Sequence, residues 1–303
     1  MTVFKEAEGR PKVHSLSRNQ LLISKDTVRA YSLKDKKWLS VFVNNITNIA
    51  WNSTAFDSLV LNPSTKDLIL AFADSQIKHH QPTFDDVVKG KGRGTILLLS
   101  GPPGVGKTLT AESVAEHMQV PLYTLSLGDL GTKAEDIEKK LTQTLQMTTK
   151  WRAILLLDEA DVFLLSRNAQ DLERNKLVSV FLRVLEYYEG FLFMTTNRIA
   201  DIDPAFESRI HLSLQYSDLD PAGRKIVWKN FLGSCIDESA SAQGFSGLEL
   251  DKLALHELNG RQIKNVVKSA LLLAQRKGER LGFGHVDAVL MVKAANGGGF
   301  AGA

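Results

Sequence analysis

Apolar and polar residues follow different patterns before and after about residue 51. Up to residue 45, short alternating runs at residues 20–24 (QLLIS) and 38–43 (WLSVFV) are separated by Lys/Asp turns, which predicts a few β-strands. From residue 51, a lead-in containing AFDSLVL is followed by Pro63 and Ser64, which are typical of a helix start, and by KDLILAFADSQI with amphipathic spacing. The pattern therefore predicts a β-rich segment at 1–45 and a first amphipathic helix after it.

Between residue 95 and about residue 214, short apolar runs alternate with longer amphipathic ones. The apolar runs are TILLLS, PLYTLSL, AILLLD, FLFMTT and RIHLSL, and the amphipathic ones are LTAESVAEHM, AEDIEKKLTQTLQ and KLVSVFLRVLEYY. Near-continuous Ile/Leu runs bounded by helices are typical of parallel strands that are covered on both faces. We therefore expect a three-layer α/β domain with a parallel sheet over residues 46–218.

After residue 221 no strand-like run remains. The segments WKNFL, LDKLALHEL, GRQIKNVVKSALLLAQRK and GHVDAVLMVKAA all have helical spacing. This predicts a small all-α domain over residues 219–296, and the Gly/Ala-rich end, 297–303, is expected to be disordered.

Composition narrows the class of protein. With 303 residues, 44% hydrophobic and 23% charged, the chain can bury a sizeable core, and its net charge of +3, without any basic run, argues against a nucleic-acid partner. No apolar run approaches the ~20 residues of a membrane span, and the start has no signal-peptide pattern, so we expect an intracellular protein without a membrane segment. Cytoplasmic, nuclear and mitochondrial locations all remain open.

The lone Cys235 is expected to be a small apolar residue, and the pair at His79 and His80 to be exposed and unliganded.

The strongest chemical signal is a glycine-rich loop between a predicted strand and a predicted helix. It fits the pattern G-x-x-x-x-G-K-[ST], whose glycines let successive backbone N–H groups approach phosphate oxygens. The helix from Lys107 to Met118 adds its positive dipole end, the Lys107 amine offers a charge to the β- and γ-phosphates, and the Thr108 hydroxyl can ligate Mg²⁺. The residues that we expect to contact ATP in this segment are Gly101, Pro102, Pro103, Gly104, Val105, Gly106, Lys107, Thr108 and Leu109.

A second apolar strand ends in consecutive carboxylates. In a sheet of this type the carboxyl ends of the strands face the ligand crevice, so Asp158 is placed to hold Mg²⁺ together with Thr108. Glu159 can then polarise an attacking water as a general base. The competing interpretation of this pattern is a solvated acidic cap, which the phosphate loop upstream disfavours. A P-loop kinase has no need of such a Glu, whereas a hydrolase does.

A third apolar strand ends at Asn197. Its amide is expected to lie level with Asp158, where it can orient the water and contact the γ-phosphate. The alternative role is a turn-capping Asn that follows a strand.

Four segments taken together resemble a known family. GPPGVGKT, LLLDEAD, MTTNR and IDPAFESRI, in this order and at these intervals, look like the Walker A, Walker B, sensor 1 and arginine-finger segments of the AAA ATPases, and the resemblance covers roughly residues 56–295. The lead-in TAFDSLVL followed by KDLIL is similar to the mitochondrial respiratory-complex assembly branch and to fungal AAA ATPases of unknown role. The resemblance implies that this lead-in wraps the adenine side of the nucleotide.

The resemblance also implies roles for two arginines. Arg209 would reach the γ-phosphate held by a neighbouring subunit of a ring, expected to be a hexamer, and Arg261 would occupy the sensor 2 position in the lid. Family members commonly carry two arginines in the finger segment, whereas only Arg209 stands here. Arg198, Arg183 and Arg174 are therefore further candidates at the interface. Many close relatives have a small residue at the sensor 2 position, so a solvent-facing role for Arg261 stays open.

The chain departs from protein-threading members of the family after its second predicted strand. Those members carry an aromatic residue there, whereas this chain has residues 127–135, LGDLGTKAE. Leu130 is the apolar residue that could substitute for it, but a leucine in such a loop is more often packed.

These observations favour an Mg-ATP hydrolase that remodels or assembles an unknown client protein as an oligomer. The alternative is an ATP-gated scaffold or adaptor with little turnover, which the missing aromatic and the single finger arginine support. A DNA-remodelling role ranks below both because the chain has no basic stripe.

Overall fold

The computed structural model describes residues 17–77, 92–131, 134–167, 171–198, 202–235 and 245–296. The predicted tail at 297–303 and the His79–His80 pair lie outside these ranges.

The first described elements are a short helix and a β-hairpin. They are α1 (Arg18–Ile23), β1 (Thr27–Ser32) and β2 (Lys37–Phe42), and a 3₁₀ turn (Val43–Asn45) follows them. The prediction of a strand at residues 20–24 is wrong. Ser17 and Gln20 form a capping box, in which each side chain bonds the backbone of the other residue, and this nucleates α1 across the alternating run.

An aromatic cluster fixes the hairpin to the rest of the protein. Tyr31 of β1 packs against Trp38 of β2, with ring centroids 5.4 Å apart, and against Trp151 at 5.1 Å. The Tyr31 hydroxyl also lies 3.4 Å from that of Tyr123. Aromatic pairs at such distances contribute beyond their buried area, so this cluster accounts for the attachment of a two-stranded sheet that would be marginal alone.

Five parallel strands form the central sheet. They are β3 (Thr95–Ser100), β4 (Leu122–Leu125), β5 (Ile154–Leu157), β6 (Phe191–Thr196) and β7 (Leu212–Gln215). Their spatial order is β4-β5-β6-β3-β7, and every neighbouring pair is parallel. The predicted α/β fold with a parallel sheet is confirmed.

Helices cover both faces of the sheet. They are α2 (Pro63–Ile77), α3 (Lys107–Met118), α4 (Leu127–Leu130), α5 (Ala134–Trp151), α6 (Asp161–Leu164) and α7 (Leu172–Glu186), with a 3₁₀ turn at Pro204–Phe206. Successive strand residues point to opposite faces, so Leu97 packs with α2 and α3 while Leu98 packs with α4 to α7. Leu130 is 1% exposed within the second of these clusters, which confirms its expected packing.

Within the described residues after β7, four helices form what we call the lid. They are α8 (Pro221–Ser234), α9 (Gly247–Leu255), α10 (Gly260–Lys277) and α11 (Phe283–Asn296). They share a core of their own around Trp228, which is fully buried and donates its Nε1–H to Leu253 O at 3.1 Å. Asn230 Nδ2 donates to Ser58 O at 2.9 Å and ties the lid to the segment before α2. The predicted helical region is confirmed.

None of the described helices has both the length and the apolar character that crossing a bilayer requires.

The two-sided burial of the sheet predicts a large stability cost for truncating a side chain of an interior strand. Leu97→Ala should lower the free energy of unfolding by about 2–5 kcal/mol, because Leu97 is fully buried between α2, α3 and β6 and leaves a cavity. Leu172→Ala, at a position 78% exposed on α7, is the matched control and should change it by no more than about 0.5 kcal/mol. Urea denaturation followed by circular dichroism measures both. Equal costs for the two variants would contradict the assigned burial.

Candidate active site

The register of the sheet brings three polar segments to one edge. Ser100 of β3 pairs with Thr196 of β6, and Leu157 of β5 pairs with Met194 of β6. The ladder continues beyond β3, since Gly101 donates its N–H to Thr196 O at 3.2 Å. The phosphate loop (residues 101–108), the carboxylates after β5 and the amide after β6 therefore meet where three parallel strands end.

The glycines of the phosphate loop are in backbone conformations that other residues rarely adopt. Gly101, Gly104 and Gly106 have φ of +141°, +80° and +108°. A Cβ at Gly101 would lie 2.3 Å from the Tyr216 carbonyl oxygen, and one at Gly104 would lie 2.8 Å from the Asn259 side chain. The turn thus favours glycine at all three positions, and at Gly101 and Gly104 the neighbouring atoms also leave no room for a side chain.

The loop presents a row of backbone donors. Within the described residues, no carbonyl and no side chain accepts a hydrogen bond from the N–H groups of residues 104–108. Helix α3 begins at Lys107, and its first intrahelical bond runs from Thr110 N to Gly106 O at 2.9 Å. Orphan N–H groups at the positive end of a helix form an anion-binding site.

The Lys107 amine lies inside this turn. Its Nζ donates to Gly101 O and Pro102 O at 2.7 Å each and to Asn197 Oδ1 at 2.8 Å. Burial lowers the pKa of Lys107, and the charge of Arg261 acts in the same direction, while the nearby carboxylates, Asp158 foremost, oppose the shift. The side chain that the sequence assigned to phosphate binding is thus held by the loop itself and by Asn197, the residue that follows β6.

A chain of hydrogen bonds joins the residues assigned to metal binding. Thr108 Oγ1 donates to Asp158 Oδ1 at 3.0 Å, and Thr195 Oγ1 donates to the same oxygen at 2.6 Å. Glu159 donates its N–H to Thr195 Oγ1 at 2.8 Å. The hydroxyl and carboxylate oxygens needed for an Mg²⁺ site are therefore adjacent.

Glu159 has a strained backbone. Its φ of +53° lies in the left-handed region, which costs a residue with a side chain about 1–2 kcal/mol. Such strain persists where neighbouring contacts enforce it, and it occurs preferentially at functional sites. The observation adds to the case that Glu159 is presented to a ligand, since its side chain lines the cavity described below.

Asp161 holds the end of β6. Its Oδ1 accepts the Thr196 hydroxyl and, at 3.2 Å, the backbone N–H of Asn197. Asn197 therefore has its backbone bound by one carboxylate while its side-chain oxygen contacts Lys107.

A cavity of about 690 Å³ lies above these groups, within the size range of small-molecule sites. Its walls are the segment before α2, the phosphate loop, the carboxyl ends of β5 and β6, and helices α8 and α10. Eleven predicted site residues line it: Pro103, Gly104, Val105, Gly106, Lys107, Thr108, Leu109, Asp158, Glu159, Asn197 and Arg261. Gly101 and Pro102, at the start of the loop, do not line the cavity and instead contribute the two carbonyls that bind Lys107.

The start of α10 contacts the phosphate loop directly. Gly260 donates its N–H to Gly104 O at 3.0 Å, and Asn259 Nδ2 donates to Pro103 O at 3.3 Å. Asn259 also caps α10 through Gln262 N at 2.9 Å. Arg261, the next residue after Gly260, is thereby brought to the cavity as an exposed side chain.

Sequence patterns missed several lining residues. Glu112 stands one turn after Thr108 on α3, and Lys264 stands one turn after Gly260 on α10. Desolvation and the negative charge of Asp158 raise the pKa of Glu112, and Lys264 opposes the shift. Helical spacing from the known motifs was the one signal that could have identified both.

The segment before α2 and helix α8 form an apolar wall of the cavity, on the side expected to face adenine. Apolar residues in this wall include Leu59, Val60, Leu61, Val227 and Phe231. The lead-in was expected to reach this side, but no particular contact could be chosen from the sequence.

Arg209 is not among the residues that line the cavity. Its guanidinium donates to Ala205 O at 2.8 Å and to Leu182 O at 3.3 Å, and it lies 4.0 Å from the Glu186 carboxylate.

Asp203, which precedes Arg209 in the same segment, anchors that segment. Burial alone would raise the pKa of Asp203, but hydrogen bonds from Arg167 hold it below its usual range.

The arrangement fits Mg-ATP on features of this chain alone. The orphan N–H row and the Lys107 amine suit phosphates, and the Thr108–Asp158 pair supplies oxygen ligands. The described residues contain no group of three or more His, Cys, Asp or Glu arranged for a metal ion, so a metal there would depend on phosphate oxygens as further ligands.

The close approach of Gly101 to β7 generates a stability prediction. Gly101→Ala should lower the free energy of unfolding by about 1–3 kcal/mol, because the new Cβ meets the Tyr216 carbonyl and φ is unfavourable. Gly233→Ala is the control, since its Cβ meets nothing within 4 Å inside α8, and it should be neutral or stabilising. Thermal or urea unfolding compares the two, and an unaffected Gly101→Ala protein would refute the close approach.

Comparisons with known proteins agree with this geometry. Residues 97–217 match the family described as "ATPase family associated with various cellular activities (AAA)". The chain is 28% identical over 227 residues to an AAA-ATPase of Arabidopsis thaliana, covering 67% of this chain and 48% of that protein. It is 33% identical over 144 residues to the mitochondrial Lon protease homolog of Yarrowia lipolytica, covering 43% and 12%, and 28% identical over 204 residues to spastin of Gallus gallus, covering 58% and 33%. The chain thus spans less than half the length of these curated relatives.

A solved structure shows the same fold. One chain of the E. coli MS115-1 HORMA:CdnC:Trip13 complex superposes with a TM-score of 0.58 at 20% identity, covering 78% of this chain and 90% of that chain. The comparisons thus show similarity to AAA ATPases over residues 97–217, and the solved structure shows the same fold.

Proposed function

We propose that the chain hydrolyses Mg-ATP as part of a ring-shaped oligomer and uses the cycle to remodel or assemble a client protein. The observation that carries the proposal is the hydrogen-bonded chain Thr108–Asp158–Thr195–Glu159 beside Lys107. It supports the proposal because a hydroxyl–carboxylate pair suited to Mg²⁺, a second carboxylate and an amine lie around one cavity.

The residues divide the work by their chemistry. The N–H groups of residues 104–108 and the Lys107 amine bind phosphate oxygens, and Thr108 and Asp158 hold Mg²⁺. Bound Mg²⁺ neutralises charge on the phosphates. Glu159 accepts a proton from the attacking water, and Asn197, fixed by Asp161 through its backbone, orients that water.

The lid is proposed to respond to the nucleotide. The division at residues 46–218 and 219–296 separates a sheet-based core from the helical core, and the cavity lies between them. Because Gly260 bonds Gly104 and Arg261 lines the same cavity, a phosphate bound there contacts both parts of the chain. This arrangement can convert a change at the phosphates into a change in the angle of the lid.

Oligomerisation is proposed from the position of Arg209. Its guanidinium is bound by carbonyls away from the cavity of its own chain, so it does not serve that cavity in this conformation. We propose that it acts at the cavity of a neighbouring subunit instead. By family resemblance we propose a hexamer, an intracellular location, and kinship with the respiratory-complex assembly branch or its fungal relatives.

The buried Leu130 bears on how a client is handled. At 1% exposure it offers no grip on a threaded polypeptide, and α4 around it is capped by Ser126 and Asp129. We therefore place client contact outside the residues 127–131. The alternative function, an ATP-gated scaffold with little turnover, draws on this same feature and on the single finger arginine.

Two variants test hydrolysis against mere binding. Lys107→Ala should show no binding of a fluorescent ATP analogue at concentrations that saturate the parent, because it removes the buried amine. Glu159→Gln should bind the analogue normally but release phosphate more slowly by a factor of about 100 at least, because the base is lost. Normal phosphate release by Glu159→Gln would contradict the proposed chemistry. A parent that assembles with ATP on a sizing column but releases no phosphate would favour the scaffold.

Mixing variants tests the action of Arg209 in a neighbouring subunit. Arg209→Ala and Glu159→Gln should each be inactive alone, the former by about 1,000-fold or more. Their mixture should recover activity, since a site with Glu159 from one subunit and Arg209 from the other is intact. The absence of any recovery, in a mixture shown by sizing to co-assemble, would mean that Arg209 does not act across subunits.

A further inference from the structure

Thr195 is a buried polar residue whose role no sequence motif assigned. It is the penultimate residue of β6, and it is 2% exposed. Strand β6 is the central strand of the sheet and lies between β5 and β3. The Thr195 side chain reaches the edge of the sheet and lines the cavity.

The Thr195 hydroxyl makes two bonds to consecutive residues of the acidic segment. It donates to Asp158 Oδ1 at 2.6 Å and accepts the N–H of Glu159 at 2.8 Å. A hydroxyl has one proton and two lone pairs, so this arrangement uses its donor for the carboxylate and one acceptor site for the peptide. Asp158 and Glu159 are thus held relative to each other through one oxygen atom.

The same bonds connect three elements of the site. Asp158 Oδ1 also accepts from Thr108 at 3.0 Å, so both hydrogen bonds fall on one oxygen. Within the described residues no group donates to Asp158 Oδ2, which is left to bind a ligand. The Thr195 hydroxyl is therefore one of the two groups that orient this carboxylate.

Thr195 also holds the backbone that positions Glu159. Its carbonyl accepts the N–H of Ala160 at 2.8 Å, immediately after the left-handed Glu159 with φ of +53°. Two successive peptide N–H groups are bound by one residue, one through its side chain and one through its backbone. Removing the hydroxyl frees the first while the second still keeps the turn near its place.

We propose that the Thr195 hydroxyl is the positioning group that fixes the metal-binding Asp158 and the general base Glu159 in their working orientation. This inference rests on the proposed Mg-ATP hydrolysis and names one more residue in its machinery. A purely structural Thr195 would affect folding stability alone, whereas a positioning role affects the Mg²⁺ requirement and kcat.

The test compares matched threonine variants. Thr195→Val removes the hydroxyl at nearly constant shape, and Thr195→Ser keeps it. Thr148→Val removes another fully buried hydroxyl, which bonds carbonyls of α5 outside the cavity, and serves as the control. Should Thr195→Val fail to fold, Thr195→Ala is measured in its place with the same expectation.

Two readouts separate positioning from stability. At saturating Mg²⁺, Thr195→Val should lower kcat by about 10- to 100-fold while KM for ATP stays within about threefold. In a binding titration without turnover, the Mg²⁺ concentration that half-maximally strengthens binding of a fluorescent ATP analogue should rise by about 10-fold. Thr195→Ser should recover most of both, and Thr148→Val should leave both unchanged.

The contrary results are distinct from a failure of the proposed function. A Thr195→Val protein with kcat and Mg²⁺ requirement within about threefold of the parent overturns the positioning role, provided that Glu159→Gln abolishes turnover. Equal losses in Thr195→Ser and Thr195→Val overturn it as well, since the hydroxyl would then not be the active feature. If Glu159→Gln itself retains normal turnover, the assignment of Glu159 as the general base is wrong, whereas a parent protein without turnover would overturn the proposed hydrolysis.

Discussion

The parallel pairing of β3 with β6 is the interaction on which the site depends. It places the end of β3 level with that of β6, and the ladder extends past β3 through Gly101 N to Thr196 O. The neighbouring β3–β7 ladder extends past β7 through Tyr216 N to Ser100 O. A slip of one residue would move every side chain of the shifted strand to the opposite face of the sheet. The contacts from Lys107 to Asn197 and from Thr108 to Asp158 hold only while this register holds.

A second constraint follows from the first. Once the phosphate loop lies against β7, its far side meets the lid, where Gly260 and Asn259 contact Gly104 and Pro103. The loop is thus bound between two separately packed cores, and it cannot move without changing a contact with one of them. This makes the lid a part of the site although its own core around Trp228 is independent of the sheet.

The sequence predicted most of the sheet and much of the site because both carry local signals. Continuous apolar runs identify buried parallel strands, and the bounds of α3 at Lys107 and Met118 follow from the loop pattern. The helix at residues 18–23 was missed because a capping box outweighed the alternation. Thr195 was missed for a different reason: its partners lie about 37 residues away, and such pairing leaves no periodic trace.

The charges around the cavity bear on the proposal that the site is completed by a neighbouring subunit. Its lining includes three cations, Lys107, Arg261 and Lys264, against three carboxylates, Glu112, Asp158 and Glu159. Side chains alone therefore give little net attraction for a triphosphate, and the backbone N–H row and the metal must supply the rest. Charge that develops during phosphoryl transfer needs a further cation, and Arg209 is held by carbonyls outside this cavity. In the proposed oligomer, a neighbouring subunit's copy of this arginine would supply that cation. The charge balance therefore gives an electrostatic reason, beside the family resemblance, for proposing that hydrolysis depends on assembly.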